Sequence, residues 1–541
     1  MILMKSLREL NLGTIGWVAL LLLVVTSPNI LNFIWVPGPL QLARMVFGAV
    51  LAAIPLVLLR IRPRPYLLLL LPVMLLIYAD LIHMVNYGKH LSLGAVAAFF
   101  YTDSQEATEF FRHTSRTTIP IAIALVIAWA LLYRTAPARM PVARASYQIG
   151  LVALTLALPA ALDMKWAFPA SAASEIHGFY QMHRTFQEQL SRRSTLRFEE
   201  VKADRAADEM VIVLVLGESA SRHHFGVYGY ERPTTPRLSA RQDLVVFADA
   251  SAPANLTQYS LYVMLTPATV LEPALFHKYP SILGLANAAG FDTFWFSNQS
   301  KLNRYNNEVS VIAEEASQRV FRSTGNVSSM DEGLLPHLNR VLDSAGRKKF
   351  VVLHTLGSHV HYEERYPGGF NVFTGKPMRA KVDDPAVWEL INTYDNSILY
   401  TDYFLDQVIA SVEATNKPGC VVYISDHGEY LSPSKPVSGH GYPRALRQEA
   451  DIPLLVWCSP ERRRSHLAEA DAMARNKALP VAGEDLFYAL ADLMDVDFSG
   501  MDTKKSFFSV DYVPPRTRWM MSNSGEKPKP IEQLKWEVVF E

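Results

Sequence analysis

A carboxylate closes the apolar run "MVIVLVLG" at Glu218, where it costs free energy unless a cation or several donors meet it. Two other apolar runs end in groups of the same kind. "FVVLHTLGSH" delivers His354 and His359, and "CVVYISDHGE" delivers Asp426 and His427. A single Glu at a strand end reads equally as a helix cap or a solvent-facing residue, and a single Asp-His pair is commonplace. Three strand ends supplying carboxylate and imidazole together point to a metal site, and this mix of oxygen and nitrogen ligands suits Zn2+ or Mn2+. The hydroxyls of "SAPANLTQYSLYVMLT" (Thr257, Tyr259, Ser260) offer a further ligand. Thr257 opens a helical pattern, a place where Thr or Asn routinely caps. The N–H groups at such a helix start can also hold phosphate, and a metal-bound hydroxyl has a lowered pKa that makes it nucleophilic. The chemistry open to this set is metal-assisted attack by a hydroxyl. His223 and His224 in "SRHHFG" are read as loop residues.

Such groups meet only if the strands that carry them lie side by side. From residue 210 onward, short β-branched and apolar runs ("MVIVLVL", "LVVFAD", "TFWFS", "FVVLHT", "CVVYIS", "IPLLVW") alternate with helical patterns such as "WELINTYDNSILYTDYFLDQVIASVEAT". Continuous apolar strands between amphipathic helices predict a sheet covered on both faces, hence an α/β domain over 210–541. In such sheets the sites form at the strands' C-terminal ends, where Glu218, His354, His359, Asp426 and His427 stand. Cys420 and Cys458 fall in two of these strands. An oxidising compartment permits a bond between them, but a buried Cys is often simply a small core residue, and free thiols are the expectation.

The first third of the 541 residues has a different texture. Five apolar runs, 12–26, 45–59, 66–82, 117–133 and 147–162, each approach the roughly 20 residues that cross a bilayer. The first lacks a small-residue cleavage site and is read as a retained span. Lys5 and Arg8 precede it, Arg60, Arg62 and Arg64 separate runs two and three, and Arg134, Arg139 and Arg144 separate runs four and five. The positive-inside rule then places the N-terminus in the cytoplasm and everything after the fifth run outside, which in a Gram-negative bacterium is the periplasm. The expected organisation is an all-α five-span domain over 1–163 with a periplasmic loop over 86–116, a linker over 164–209, and the α/β domain over 210–541. Zero net charge gives no reason to expect nucleic acid as a partner.

The motifs "GESASRHHFGVYGYERPTTP", "NLTQYS", "VVLHTLGSH…RYP", "NTYDNSILYTDYFLDQVI" and "SDHGEYL…HG", behind five apolar runs, resemble the membrane phosphoethanolamine transferases. These enzymes modify lipopolysaccharide in Gram-negative bacteria and include the mobile colistin (polymyxin) resistance transferases. The resemblance covers nearly the whole chain. It implies an alkaline-phosphatase/sulfatase-like periplasmic domain on a multi-pass inner-membrane anchor. It implies zinc as cofactor, held by Glu218, Thr257, Asp426 and His427, with Thr257 as the nucleophile that becomes phosphoethanolaminated. His359 and His440 match histidines that contact the phosphoryl group or a second zinc. In "YTDSQEATEF", Thr102 and Glu106 match contacts to the ethanolamine end of the substrate, although Ala98 replaces an Asn found in several relatives. Lys301 in "SNQSKLNRY" matches a substrate-contacting Lys.

The reaction this implies takes phosphoethanolamine from phosphatidylethanolamine onto Thr257 and then onto lipopolysaccharide or another periplasmic glycan. The relatives that modify lipid A carry a cysteine bridge around the nucleophile, and no Cys lies near Thr257 here. "FDTFWFSNQS" resembles instead the branch that acts on core heptose. Lipid A, core heptose and glucan all stay open as acceptors. A sulfatase-like hydrolase needs a Cys or Ser in a C/S-x-P-x-R context, and "SAPAN" has no Arg. A glycerol-phosphate transferase shares the Thr and the five spans but not "NLTQYS". A scaffold with a dead site would have lost ligands, and all four are present.

Overall fold

The computed structural model describes the chain apart from residues 1–11, 58–60, 88–89, 92–95, 97–103, 141–147, 149–152, 154, 156–166, 204–208, 302–306, 323–328, 347, 524–526 and 537–541. The chain forms two compact units, Met1–His183 and Arg184–Glu541.

The first unit is helical: α1 (Leu12–Val25), α2 (Ser27–Trp35), α3 (Pro39–Val57), α4 (Pro63–Leu69), α5 (Leu71–Tyr87) and α6 (Ser104–Thr135). Two segments, Pro39–Leu56 and Thr114–Thr135, are long and apolar enough to cross a membrane alone. The pairs α1/α2 and α4/α5 qualify as one span each, bent by 65° and 54°. Proline explains both bends. Pro28 and Pro72 stand at the starts of α2 and α5, where a missing N–H is tolerated but cannot continue the preceding helix. The described residues thus hold up to four of the expected spans, and most of the fifth run, 147–162, lies outside them. Two buried side chains tie the helices together: the Trp17 indole donates to Leu132 O at 2.7 Å and the Tyr66 hydroxyl to Ala52 O at 2.7 Å. The expected linker holds a 24-residue helix, α7 (Ala170–Arg193).

The second unit is built on an eight-stranded sheet. Its strands are β1 (Met210–Gly217), β2 (Leu244–Ser251), β3 (Asp292–Ser297), β4 (Gln318–Phe321), β5 (Lys348–His354), β6 (Gly419–Ser425), β7 (Asp451–Cys458) and β8 (Pro480–Ala482). They lie in the order β8-β2-β7-β6-β1-β5-β3-β4, and β7 alone runs against its neighbours. Every residue of β1 is buried, and its side chains alternate between two cores. Met210, Ile212, Leu214 and Leu216 enter one, Val211, Val213 and Val215 the other. That is why the run is apolar without alternation; each side chain sunk this way contributes about 1.5–3 kcal/mol.

Cys420 and Cys458, expected as free thiols, form a disulfide. The physical reason is register. β6 and β7 are antiparallel neighbours that set the two residues directly opposite each other, with Cα atoms 4.1 Å apart.

Candidate active site

β1, β5 and β6 are adjacent and parallel, so their C-terminal ends open on one edge. Leu216 pairs with His354, and Gly217 with Ser425. Glu218 and Asp426 therefore leave the sheet side by side. Gly217 is needed for this, since a Cβ there would lie 2.6 Å from the Tyr423 hydroxyl. The next residue, Ser219, turns through a left-handed conformation (φ 56°) that non-glycine residues adopt only when their surroundings hold them.

Four expected residues converge on this edge. Thr257 Oγ1 lies 3.1 Å from Glu218 Oε2 and 3.4 Å from His427 Nε2. His427 Nε2 is 3.5 Å from Glu218 Oε1 and 3.3 Å from Asp426 Oδ2. Thr257 begins helix α8 (Thr257–Met264), but the N-cap position is Leu256 and no side chain caps the helix. The Thr257 hydroxyl faces the carboxylates instead. Ser260, another hydroxyl in the segment, is buried and donates to Asp426 O at 2.5 Å.

The electrostatics are those of a cation site. Burial pushes the Glu218 carboxyl up, but His427, His359 and His440 outweigh it and hold it at about 2. Asp426 is raised well above the usual carboxylate range, by burial and then by the Glu218 charge. Burial, followed by the neighbouring His440, lowers His427 to about 3, leaving a neutral imidazole able to ligate. Asp426 Oδ2 is buried with no hydrogen-bond partner. Two facing buried carboxylates, one with an orphaned oxygen, beside a neutral imidazole and a hydroxyl, form a donor set that fits a metal ion. Ligand atoms of Glu218, Asp426 and His427 all lie within 4.8 Å of one another.

A second grouping, Glu218, His359 and His440, meets the same distance limit. The His427 and His440 rings are 4.2 Å apart, centre to centre. His440 Nδ1 bonds Glu429 Oε2 at 2.7 Å, and the buried Tyr362 hydroxyl donates to the other oxygen of Glu429. Burial pushes His440 down, but the charge and hydrogen bond of Glu429, with the charges of Glu218 and Asp426, together raise it to about 9. Lys301 pairs with Glu314 at 2.7 Å. Glu106 lies on α6 with its side chain outside the described residues, and Thr102 lies outside them altogether.

The loop histidines turn out to be structural. His224 is buried, with Nδ1 2.7 Å from Asp395 Oδ1, and His223 Nε2 is 2.9 Å from Asp451. Asp395 also receives Tyr230 at 2.8 Å and Arg232 at 2.7 Å. Thus "NTYDN", on helix α9 (Pro385–Glu413), holds "HHFGVYGYER" in place. Tyr394 of the same motif donates to Ser219 O at 2.7 Å and accepts from Ser221 N–H at 2.9 Å, holding the strained turn after Glu218. The sequence alone gives these roles no signal, nor does it mark Gln299, Ser219 and Glu429, whose partners lie far along the chain or on a turn.

Comparisons with known proteins bear on the family and the fold. The family model "Sulfatase" matches residues 211–496, more than half of the chain. "Phosphoethanolamine transferase EptC" of Escherichia coli (strain K12) is 27% identical over 479 residues, 82% of each chain. "Kdo(2)-lipid A phosphoethanolamine 7''-transferase" of the same strain is 31% identical over 285 residues, 51% of this chain and 49% of its own. Among solved structures, the C-terminal periplasmic domain of the Escherichia coli EptC in complex with Zn superposes with a TM-score of 0.58 at 27% identity. That match covers 62% of this chain and 97% of the other. The resemblance read from the motifs stands, and the second unit has the sulfatase-like fold.

Proposed function

The chain belongs to the sulfatase family, and on that premise we propose that it is a membrane-anchored phosphoethanolamine transferase acting on lipopolysaccharide. The observation that carries this is the Thr257 hydroxyl at the start of α8, set within 3.4 Å of both Glu218 and His427. Zinc held by these four residues supplies Lewis acidity and a lowered hydroxyl pKa.

Thr257 Oγ1 attacks phosphorus of phosphatidylethanolamine. The Oγ1–P bond forms, the bond from phosphorus to the glycerol oxygen breaks, and diacylglycerol leaves with a proton. The acceptor hydroxyl or phosphate then displaces Thr257 from phosphorus and carries off the phosphoethanolamine. His359 and His440 meet phosphoryl oxygens and pass protons, a role supported by their closeness to Glu218 and to each other. Thr102 and Glu106 receive the ethanolamine end, Glu106 through the ammonium charge, and Lys301 supports substrate binding. Five spans keep the site at the outer face of the inner membrane, where the lipid donor is. The acceptor favoured by "FDTFWFSNQS" and by the lack of Cys around Thr257 is a core sugar.

Incubation with phosphatidylethanolamine should leave a phosphoethanolamine adduct on the Thr257 peptide, read by tandem mass spectrometry. Thr257→Ala should abolish adduct and transfer, and Thr257→Ser should keep part of both, since it loses only a methyl group. An adduct on Ser260 or Thr266, or transfer at the parental rate by Thr257→Ala, would overturn the assignment. Mass spectrometry of lipopolysaccharide from cells with and without the chain identifies the acceptor.

A further inference from the structure

Glu218 must present its oxygens in one orientation, and the structure assigns that task to a residue outside the ligand set. Glu218 Oε2 accepts from the Thr257 hydroxyl at 3.1 Å and from the side-chain amide of Gln299 at 2.9 Å. The same amide nitrogen donates to Thr355 O at 3.0 Å. Glu218 Oε1 accepts from the Ser219 hydroxyl at 2.8 Å. We propose that Gln299 is a positioning residue for the metal centre, pinning one oxygen of Glu218 and thereby fixing the rotation of the carboxylate toward Thr257, Asp426 and His427. This rests on the zinc-dependent transferase reading and deepens it.

The surroundings are built to hold the amide still. Gln299 follows β3, and its N–H donates to Ser297 Oγ at 3.0 Å. The preceding Asn298 N–H donates to His354 O at 2.8 Å, and the Asn298 side chain donates to Asp331 at 2.7 Å. Asp331 in turn accepts the N–H groups of Leu356 at 2.8 Å and Gly357 at 3.0 Å. Gly357 sits in the left-handed region (φ 50°) against Glu218, where a Cβ would lie 2.8 Å from Glu218 O. The turns after β3 and β5 are thus joined to each other and to the turn after β1, with Gln299 as the side chain that crosses to the carboxylate.

The choice of a neutral amide follows from the chemistry. A lysine here would neutralise Glu218 and compete with a bound cation, and a carboxylate would repel it. An amide orients the charge and leaves it available. When Thr257 gives up its proton to act as nucleophile, it stops donating to Oε2, and the Gln299 bond persists. Such outer partners of a metal ligand typically govern affinity by about 10–100-fold.

The test measures zinc affinity of the metal-free full chain in detergent by competition with a chromophoric chelator, beside the thermal unfolding of the metal-free protein. Gln299→Met keeps the length and removes the donor. Gln299→Asn keeps an amide that stops one methylene short, and serves if the first variant does not fold. The expected result in either is zinc binding weakened about 10–100-fold, with metal-free unfolding close to the parent and a loss of kcat with little change in KM. Parental zinc affinity in a folded variant overturns the proposal, as does weakening that only parallels lost metal-free stability. Glu218→Ala separates the two ideas. If it also leaves zinc binding intact, the metal reading itself has failed. If it abolishes binding while Gln299→Met and Gln299→Asn bind normally, only the role of Gln299 is lost.

Discussion

At Asp426 the metal-free protein holds a second carboxylate against Glu218, buried and with one oxygen unpartnered. Without a cation this arrangement opposes folding, since like charges and desolvation both disfavour ionisation. Asp426→Ala should therefore lose most bound zinc and transfer together, while metal-free unfolding moves little, because relief of the carboxylate repulsion is set against the lost bonds from Ser219 N–H at 3.1 Å and His427 N–H at 2.7 Å. Zinc analysis of the purified variant, with circular dichroism to verify the fold, checks both halves. Full zinc occupancy would remove Asp426 from the ligand set. Asp485 illustrates the same physics away from the site. It lies buried at the start of the helix Leu486–Leu493, and burial, then Glu484, raises it to about 8, with Asp502 adding and Lys505 opposing. Because its folded pKa lies above the unfolded value of 3.8, the folded state binds the extra proton between about pH 4 and 8, and stability falls as pH rises through that window. Asp485→Asn should flatten this fall, as read from unfolding midpoints at pH 5 and pH 8. An unchanged difference between the two midpoints would contradict the assignment.

At the scale of elements, three parallel strand ends and two helices, α8 and α9, make the candidate site. The strands deliver Glu218, His359, Asp426 and His427, α8 delivers Thr257, and α9 holds the connecting loops. Tyr394 is the clearest case, since its hydroxyl bonds both the carbonyl of the left-handed Ser219 and the N–H of Ser221. Tyr394→Phe leaves a buried carbonyl and a buried N–H unpaired, a change that costs on the order of 2 kcal/mol. Denaturant unfolding should register that loss, and zinc affinity should fall with it, because the freed turn carries Glu218. A variant with parental stability would mean that the turn holds itself. The "NTYDN" motif is thereby explained as structure: it anchors the "GESAS…YGYERP" loop through Asp395 and Tyr394 and supplies no ligand.

For the whole molecule, the proposed function gives the two units separate tasks, the helical one meeting a lipid donor and the sulfatase-like one performing the transfer. Topology tests this division. On the proposed five-span reading, the basic residues at 60–64 and 134–144 lie in the cytoplasm and the C-terminus lies outside. Alkaline phosphatase fused after residue 541 should be active, and green fluorescent protein exported in its place should be dark. The reverse pattern would fit an even count, such as the four spans that the described helices can form.

Local chemistry was legible in the residues themselves. Unbroken apolar runs mark strands buried on both faces, acid and imidazole groups directly after them mark a site at strand ends, and a hydroxyl at a helix start marks a nucleophile, because each signal is carried by neighbours in the chain. Glu218, His359, Asp426 and His427 were reachable this way; Thr257 was one of three candidate hydroxyls, and its choice, like His440, came from motifs that resemble a known family. What the tertiary structure alone decided depends on register and on contacts between distant segments. Cys420 and Cys458 are bonded because β6 and β7 pair antiparallel in one particular register. His224 binds Asp395 across 171 positions, and Gln299 reaches Glu218 across 81. A periodic pattern places a residue on a face but says nothing about which atom of another strand will stand opposite it; that is set by how the sheet packs, and only the folded chain contains it.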